Sequence, residues 1–309
     1  MDKTRGSLTR YILVAFGISW LFWLPVTFAT FDLPSFSNAY VSSWFTDLLQ
    51  GKANTWAHWL VLLGGVLGPL LGGMAAWHYR AGREGIATIG RYLIDGRLAD
   101  WKAWLSAVVF PLAYFGIGAA FVSALTGVSF FVEGWPVTFA LSLLVGCVLV
   151  AGEEIGWRGT QLPMHQEKRS AIVSSLLVGI TWAYWHFPLM LMNFKPPETG
   201  IDGLPQALAM TLILYPLMAI PVSIMMTTVF NTGRGLILLP IIFHALHNEL
   251  NASMDIHAPS EAAKAEAGGL AGIVLLVSLW IVAIVVLFIF GRKQLSRRPK
   301  ITASEMLNS

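Results

Sequence analysis

Cysteine and charged residues are scarce in this 309-residue chain. Its one cysteine, Cys147, excludes a disulfide within the chain and any metal site built from cysteines. Charged residues make up 12% of the sequence, whereas a soluble domain has roughly 25%. We also find no internal repeat and no glycine-rich phosphate loop. These shortages exclude a soluble enzyme and favour a membrane protein.

Long apolar runs are abundant, since hydrophobic residues make up 56% of the chain. A bilayer-spanning helix needs about 20 apolar residues. Runs of this kind occur at roughly 10–30, 58–78, 104–125, 138–162, 171–192, 207–229, 235–252 and 270–290. The seventh is the weakest, because it is short and carries two histidines and two asparagines. We predict an all-α, polytopic membrane protein that forms a single transmembrane domain over residues 1–309, with eight transmembrane helices.

The Lys and Arg residues indicate an orientation. Sixteen of the 20 lie at the termini and in alternate loops, and one, Arg158, lies inside a span. The other loops hold only Lys52, Lys195 and Lys264. Because cytoplasmic loops are enriched in Lys and Arg, we expect both termini in the cytoplasm and a multi-pass protein of the bacterial inner membrane. We expect the basic tail, residues 291–309, to lie on the anionic lipid surface.

The fourth predicted span contains three ionisable residues, Glu153, Glu154 and Arg158. Each costs about 2.5–3.5 kcal/mol at the bilayer centre, so such residues are functional candidates by default. Glu154 and Arg158 have the i,i+4 spacing and order of a helical ion pair. Glu153 lies about 100° around the helix and is less compensated, which suits a general base. The alternative is a buried polar network that only fixes helix packing.

Two further spans carry polar side chains on one helical face. Trp182 and His186 are spaced i,i+4, and so are His244 and Asn248, with His247 beside them. Such a surface could donate hydrogen bonds to an oxyanion. Alternatively, His186 is a histidine whose hydrogen bonds are satisfied, and Trp182 belongs to an interfacial belt. We find no other acidic residue in the core of a predicted span.

Together these motifs resemble the three-motif signature of the CPBP family of intramembrane glutamic proteases. The signature is Glu153-Glu154-x-x-x-Arg158, then Trp182-x-x-x-His186, then His244-x-x-x-Asn248. The family includes the type II CAAX prenyl endopeptidases and bacterial proteins linked to bacteriocin maturation and self-immunity. The resemblance covers roughly residues 100–250, which would form the catalytic core, and is closest to the bacterial branch.

The resemblance implies a division of roles. Glu153 would activate a water for attack on a peptide carbonyl, and His186 would assist or position that water. His244 and Asn248 would form the oxyanion hole. Family members with a prenyl-peptide substrate cut it near the cytoplasmic face, so we expect action from that side.

The resemblance also assigns supporting residues. Glu154 and Arg158 would hold the fourth helix in register, and Trp182 stands where many members have Phe. With straight helices, His186 would lie about 7 Å from the depth of Glu153 at 1.5 Å per residue. A helix tilt, or a break near Pro188, could close that gap.

The predicted function is therefore an intramembrane endopeptidase that needs no cofactor. Its partners would be a peptide or protein substrate, with or without a lipid anchor, and the bilayer, but no nucleic acid. One alternative is a zinc-dependent membrane protease that uses Glu153 or Glu154 with the histidines, although no His-Glu-x-x-His motif is present. The other is a non-catalytic peptide-binding immunity protein or a transporter.

Overall fold

A computed structural model describes residues 3–28, 56–132, 137–193 and 204–309. Within these ranges the protein is a bundle of helices with one two-stranded antiparallel ribbon, in which β1 (Ser129–Val132) pairs with β2 (Met254–His257). The helices are α1 (Lys3–Thr27), α2 (Trp56–Ile94), α3 (Trp101–Thr126), α4 (Val137–Gly156), α5 (Leu162–Gln166), α6 (Ala171–Trp185), α7 (Phe187–Asn193), α8 (Leu204–Ala209), α9 (Tyr215–Thr232), α10 (Leu238–Ser253), α11 (Glu261–Phe290) and α12 (Ala303–Leu307). Helix α4 packs between α2 and α10, and α10 also packs on α3.

Six helices in the described residues are long and apolar enough to cross a membrane, which confirms an all-α polytopic membrane protein. They are Lys3–Thr27, Trp56–Ile94, Trp101–Thr126, Phe139–Gln166, Leu204–Thr232 and Glu261–Phe290. The fifth and seventh predicted spans fall on α6 and α10, which have 15 and 16 residues. A span needs about 20 residues, and both helices are shorter than that. The number of eight spans and the cytoplasmic position of both termini therefore stay predictions.

Helices α1 and α2 pack closely through small residues. Gly64 lies under the ring of Trp23, and Gly68 lies against Ser19 and the backbone of α1. The Ser19 hydroxyl donates to the Gly64 carbonyl at 2.7 Å. A Cβ atom added at Gly68 would come within 1.9 Å of the Ser19 Oγ atom, so glycine allows this close approach.

A π-helical turn, Trp157–Gln161, joins α4 to α5. The Leu162 amide donates to the Trp157 carbonyl five residues earlier, which widens the helix by one residue. Trp77 on α2 donates its ring N–H to the Gly159 carbonyl at 3.0 Å. Such insertions occur often at functional sites, and this one directly follows the two glutamates.

Helix α6 ends at Trp185, and α7 starts at Phe187. His186 lies between them with φ −75° and ψ −1° and closes α6. Pro188 follows as the second residue of α7, where its missing amide hydrogen costs no helical bond. The α-helical hydrogen bonding is therefore interrupted at His186 itself.

The C-terminal segment 291–309 packs on the protein. Leu295, Ala303 and Met306 are fully buried. Gln166 and Asn231 pair through their side-chain amides, and both also bond backbone groups of the segment. The segment is therefore folded against the helix ends, because its basic residues are interspersed with apolar ones that can be buried. Its contact with the lipid surface stays a prediction.

Candidate functional site

Three helices bring the predicted catalytic residues to one cavity. Glu153 on α4, His186 at the end of α6, and His244 and Asn248 on α10 all line it. Tyr215 on α9 completes the wall next to His186. The cavity has a volume of about 80 Å³. One water needs about 10–15 Å³ of such space, so the cavity can hold the water that a hydrolysis requires.

Glu154 is held by two partners. Its Oε1 atom accepts from Arg158 Nη1 at 3.0 Å and from His244 Nδ1 at 2.8 Å. Glu154 and Arg158 are both completely buried. The predicted i,i+4 ion pair is therefore present, and it also ties α4 to α10. With this bonding, Glu154 has little freedom to act on a substrate.

Glu153 points elsewhere. Its Oε2 atom accepts the ring N–H of Trp182 at 2.9 Å, and its side chain faces the cavity. The Trp182 ring also lies 5.1 Å from the Arg158 guanidinium carbon and makes an edge contact with His244 at 5.2 Å. Trp182 therefore bonds the carboxylate that faces the cavity and contacts both partners of the other one.

His186 is fixed by its backbone neighbour and by aromatic rings. Its Nδ1 atom lies 2.8 Å from the Trp182 carbonyl, which can only accept, so Nδ1 carries the hydrogen. Trp185 and Tyr215 each lie 4.7 Å from the imidazole between ring centres, and Trp23 lies at 6.4 Å. The Nε2 lone pair of the neutral ring is left to accept a hydrogen bond.

The α10 residues differ in their partners. His244 uses Nδ1 for Glu154, which leaves Nε2 for the cavity. Asn248 lies one turn further along α10 and is half-buried at the cavity wall. His247 also lines the cavity, but its Nδ1 atom bonds the Tyr114 hydroxyl at 2.5 Å. Asn248 and the Nε2 atoms of His244 and His247 are thus the α10 groups at the cavity that these bonds leave for a ligand.

Several residues of this region were missed by the sequence analysis. Trp23 and Tyr215 line the cavity. They were not predicted because they are far from the three motifs in the sequence. Glu249 on α10 is 3% exposed and lies near the end of the seventh predicted span, so this buried acidic residue was overlooked. Its place directly after Asn248 in a predicted span was the available signal. Within the described ranges, no three His, Cys, Asp or Glu side chains are grouped closely enough to hold a metal ion.

Comparisons with known proteins point to one family. Residues 134–250 match the family described as "Type II CAAX prenyl endopeptidase Rce1-like". A curated relative, CAAX prenyl protease 2 of Methanococcus maripaludis, is 34% identical over 122 residues. That match covers 40% of this chain and 42% of the relative, so the chain aligns with less than half of the relative's length. The family match contains every residue of the candidate site described above on α4, α6 and α10.

Proposed function

We propose, from the match of residues 134–250 to the Rce1-like family of CAAX prenyl endopeptidases, that the chain is an intramembrane endopeptidase of the glutamate type. One observation carries the proposal. Glu153, His186, His244 and Asn248 line one cavity. The neighbouring Glu154 is bonded to Arg158 and His244 instead. Of the two carboxylates in the motif, Glu153 is the one that lines the cavity, which supports it as the residue that acts on a water there.

Glu153 and His186 would prepare the water. The Glu153 carboxylate takes a proton from the water, and the oxygen attacks the peptide carbonyl carbon. The other hydrogen stays on the attacking oxygen and donates a hydrogen bond to Nε2 of His186, whose Nδ1 hydrogen is committed to the Trp182 carbonyl. Glu153 then passes its proton to the leaving amine, which completes the hydrolysis. General acid–base catalysis of this kind contributes about 10²- to 10⁴-fold to the rate.

His244 and Asn248 would stabilise the oxyanion. The Asn248 amide is a donor in every state. His244 donates through Nε2 when both ring nitrogens carry hydrogens, and Glu154 then accepts from Nδ1. In that state the two glutamates balance Arg158 and the imidazolium, so the buried cluster is electrically neutral. Two preorganised donors away from bulk water form an oxyanion hole.

The substrate would be a membrane-associated peptide or protein. The relative's name concerns CAAX prenyl proteins, which makes a lipidated substrate one candidate and a bacteriocin-like or signal-peptide-like segment the other. Matched peptides with and without a prenyl group would separate the two.

The test is cleavage of a diverse peptide pool by the detergent-purified protein, read by mass spectrometry. We expect Glu153→Gln to lower cleavage by about 10²- to 10⁴-fold with the fold intact. Glu84→Gln, at an exposed glutamate of α2, is the matched control and should cleave like wild type. Full activity of Glu153→Gln would refute the proposal. Loss of wild-type cleavage on adding a chelator would favour the zinc enzyme, and substrate binding without cleavage would favour the peptide-binding protein.

A further inference from the structure

The basic residues mark one end of the helix bundle, which we call the basic end. Arg80 on α2 pairs with Glu167 after α5, and Thr4 on α1 bonds both. Arg298 pairs with Asp100, which caps the start of α3. In the described part of the chain, the Lys and Arg residues outside this end are Arg158, inside the bundle, and Lys264, at the opposite end.

Three helices give the same distance between the basic end and the candidate site. Glu153 precedes Glu167 by fourteen positions. Val66, whose carbonyl contacts the backbone at Gly152, precedes Arg80 by fourteen positions on α2. At 1.5 Å per residue each interval is about 21 Å.

Helix α3 agrees with α2 and α4. Tyr114, the partner of His247, follows Asp100 by fourteen positions, again about 21 Å. The hydrocarbon core of a bilayer is about 30 Å thick, so its midplane lies about 15 Å from either surface. With the basic end at one surface, the site lies beyond the midplane, in the opposite half.

The protein is closed between the site and the basic end. Every residue of the stretch 154–164 is buried, and Arg158 and Trp157 are completely so. Tyr11 and Trp77 fill the same level from α1 and α2 and are also completely buried. No described side chain of this level lines the cavity.

The cavity extends toward the other end of the bundle. On each helix, its lining residues lie at the level of Glu153 or farther from the basic end. They include Trp23 on α1, Leu62 on α2, Leu149 on α4, Leu189 on α7 and Tyr215 on α9. The basic end and the cavity therefore face opposite surfaces of the bilayer.

We propose that the site is reached from the membrane face opposite the basic end. Since Lys and Arg residues mark the cytoplasmic side, that face is the non-cytoplasmic one. Resting on the proposed function, the substrate is then a peptide segment whose scissile bond lies in the outer half of the bilayer, about 9 Å below the surface. The sequence analysis expected a cytoplasmic basic end and cytoplasmic access together, and this geometry does not allow both.

Cysteine labelling tests the access route without any need for cleavage. In a Cys147→Ala background, Ala262→Cys marks the exposed start of α11 and Arg297→Cys marks the basic end. Leu62→Cys reports on the cavity. Leu63→Cys is its matched control, because Leu63 is the next residue and is 38% exposed toward the bilayer.

A small, charged thiosulfonate is added to sealed right-side-out and inside-out vesicles that contain the folded full-length protein. We expect Ala262→Cys and Leu62→Cys to react in right-side-out vesicles, Arg297→Cys to react only in inside-out vesicles, and Leu63→Cys to react in neither. Reaction of Leu62→Cys from the same face as Arg297→Cys overturns the proposal, and so does its failure to react from either face. Reaction of Arg297→Cys in right-side-out vesicles overturns the assignment to the non-cytoplasmic face. These outcomes are separate from the effect of Glu153→Gln on peptide cleavage, which tests the proposed function.

Discussion

The two halves of the bundle use their buried polar groups differently. In the basic half, the Gln166 and Asn231 amides bond each other and the C-terminal segment at once. In the cavity half, His186 and His244 each commit one ring nitrogen to the protein and keep the other at the cavity. Fully bonded polar groups stabilise a fold, whereas groups with one position left open can bind and react. For these four residues, the contrast separates two amides that fix the C-terminal segment from two imidazoles that can take part in chemistry.

Substitutions at Arg158, which lies between the basic end and the cavity, should have the largest effect on stability and on cleavage. Arg158→Met removes the cation from a completely buried Glu154 and leaves an uncompensated carboxylate. We expect a loss of about 3–5 kcal/mol in the free energy of unfolding, together with loss of cleavage. Thermal unfolding in detergent measures the loss.

Two variants control this experiment. Arg298→Met breaks an arginine–aspartate pair of the basic end whose side chains are 31% and 37% exposed, and should cost no more than about 1 kcal/mol. Combining Glu154→Gln with Arg158→Met should recover much of the lost stability, since no buried charge is then unpaired. Equal effects of Arg158→Met and Arg298→Met would contradict the contrast.

The basic half can be weakened without touching the site. Met306 is fully buried, on a segment that packs at the basic end, where Ser304 bonds Glu167. Met306→Ala should cost about 2–5 kcal/mol of stability, because the buried side chain leaves a cavity. Met306→Leu keeps the volume and should cost less than about 1.5 kcal/mol. Cleavage per folded molecule should be unchanged in both, and a lower value for Met306→Ala at a temperature where it is folded would link the segment to the site.

The sequence predicts what depends on spacing along one helix. The Glu154–Arg158 pair follows from i,i+4 geometry, and the structure contains it. Most of the spans also follow from apolar runs longer than a helix needs to cross a bilayer. Spacing likewise separates Glu153 from Glu154 around α4, and the two carboxylates have different partners.

Tertiary contacts decide the rest, and they are not encoded locally. His186 lies where α6 ends and packs against Tyr215 of α9, and neither the helix end nor this contact could enter a depth estimate based on one straight helix. The basic composition of the C-terminal segment indicated a lipid surface, yet Leu295 and Met306 are buried in the protein. The closed level beneath Glu153 involves α1, α2 and α4 together, and no single run of sequence predicts which end of the bundle a cavity faces.

The smallest effects are expected from substituting one tryptophan near the cavity and one nearer the basic end. Trp182→Phe keeps most of the ring but removes the N–H that bonds Glu153 at 2.9 Å. A neutral hydrogen bond is worth about 0.5–1.5 kcal/mol, and here it orients the proposed base, so we expect kcat for peptide cleavage to fall about 2- to 10-fold. KM should change little, because the ring wall of the cavity remains.

Trp77→Phe is the matched change in the basic half. It removes a hydrogen bond of nearly equal length, 3.0 Å, from a completely buried ring to the Gly159 carbonyl. The same loss of about 0.5–1.5 kcal/mol should therefore lower Tm and leave kcat unchanged. If both variants lowered kcat equally, the hydrogen bond of Trp77 to Gly159 would have to position Glu153 as directly as Trp182 does. If neither variant lowered kcat, the α4 backbone alone would hold the Glu153 carboxylate in place. Phe would then serve in place of Trp182.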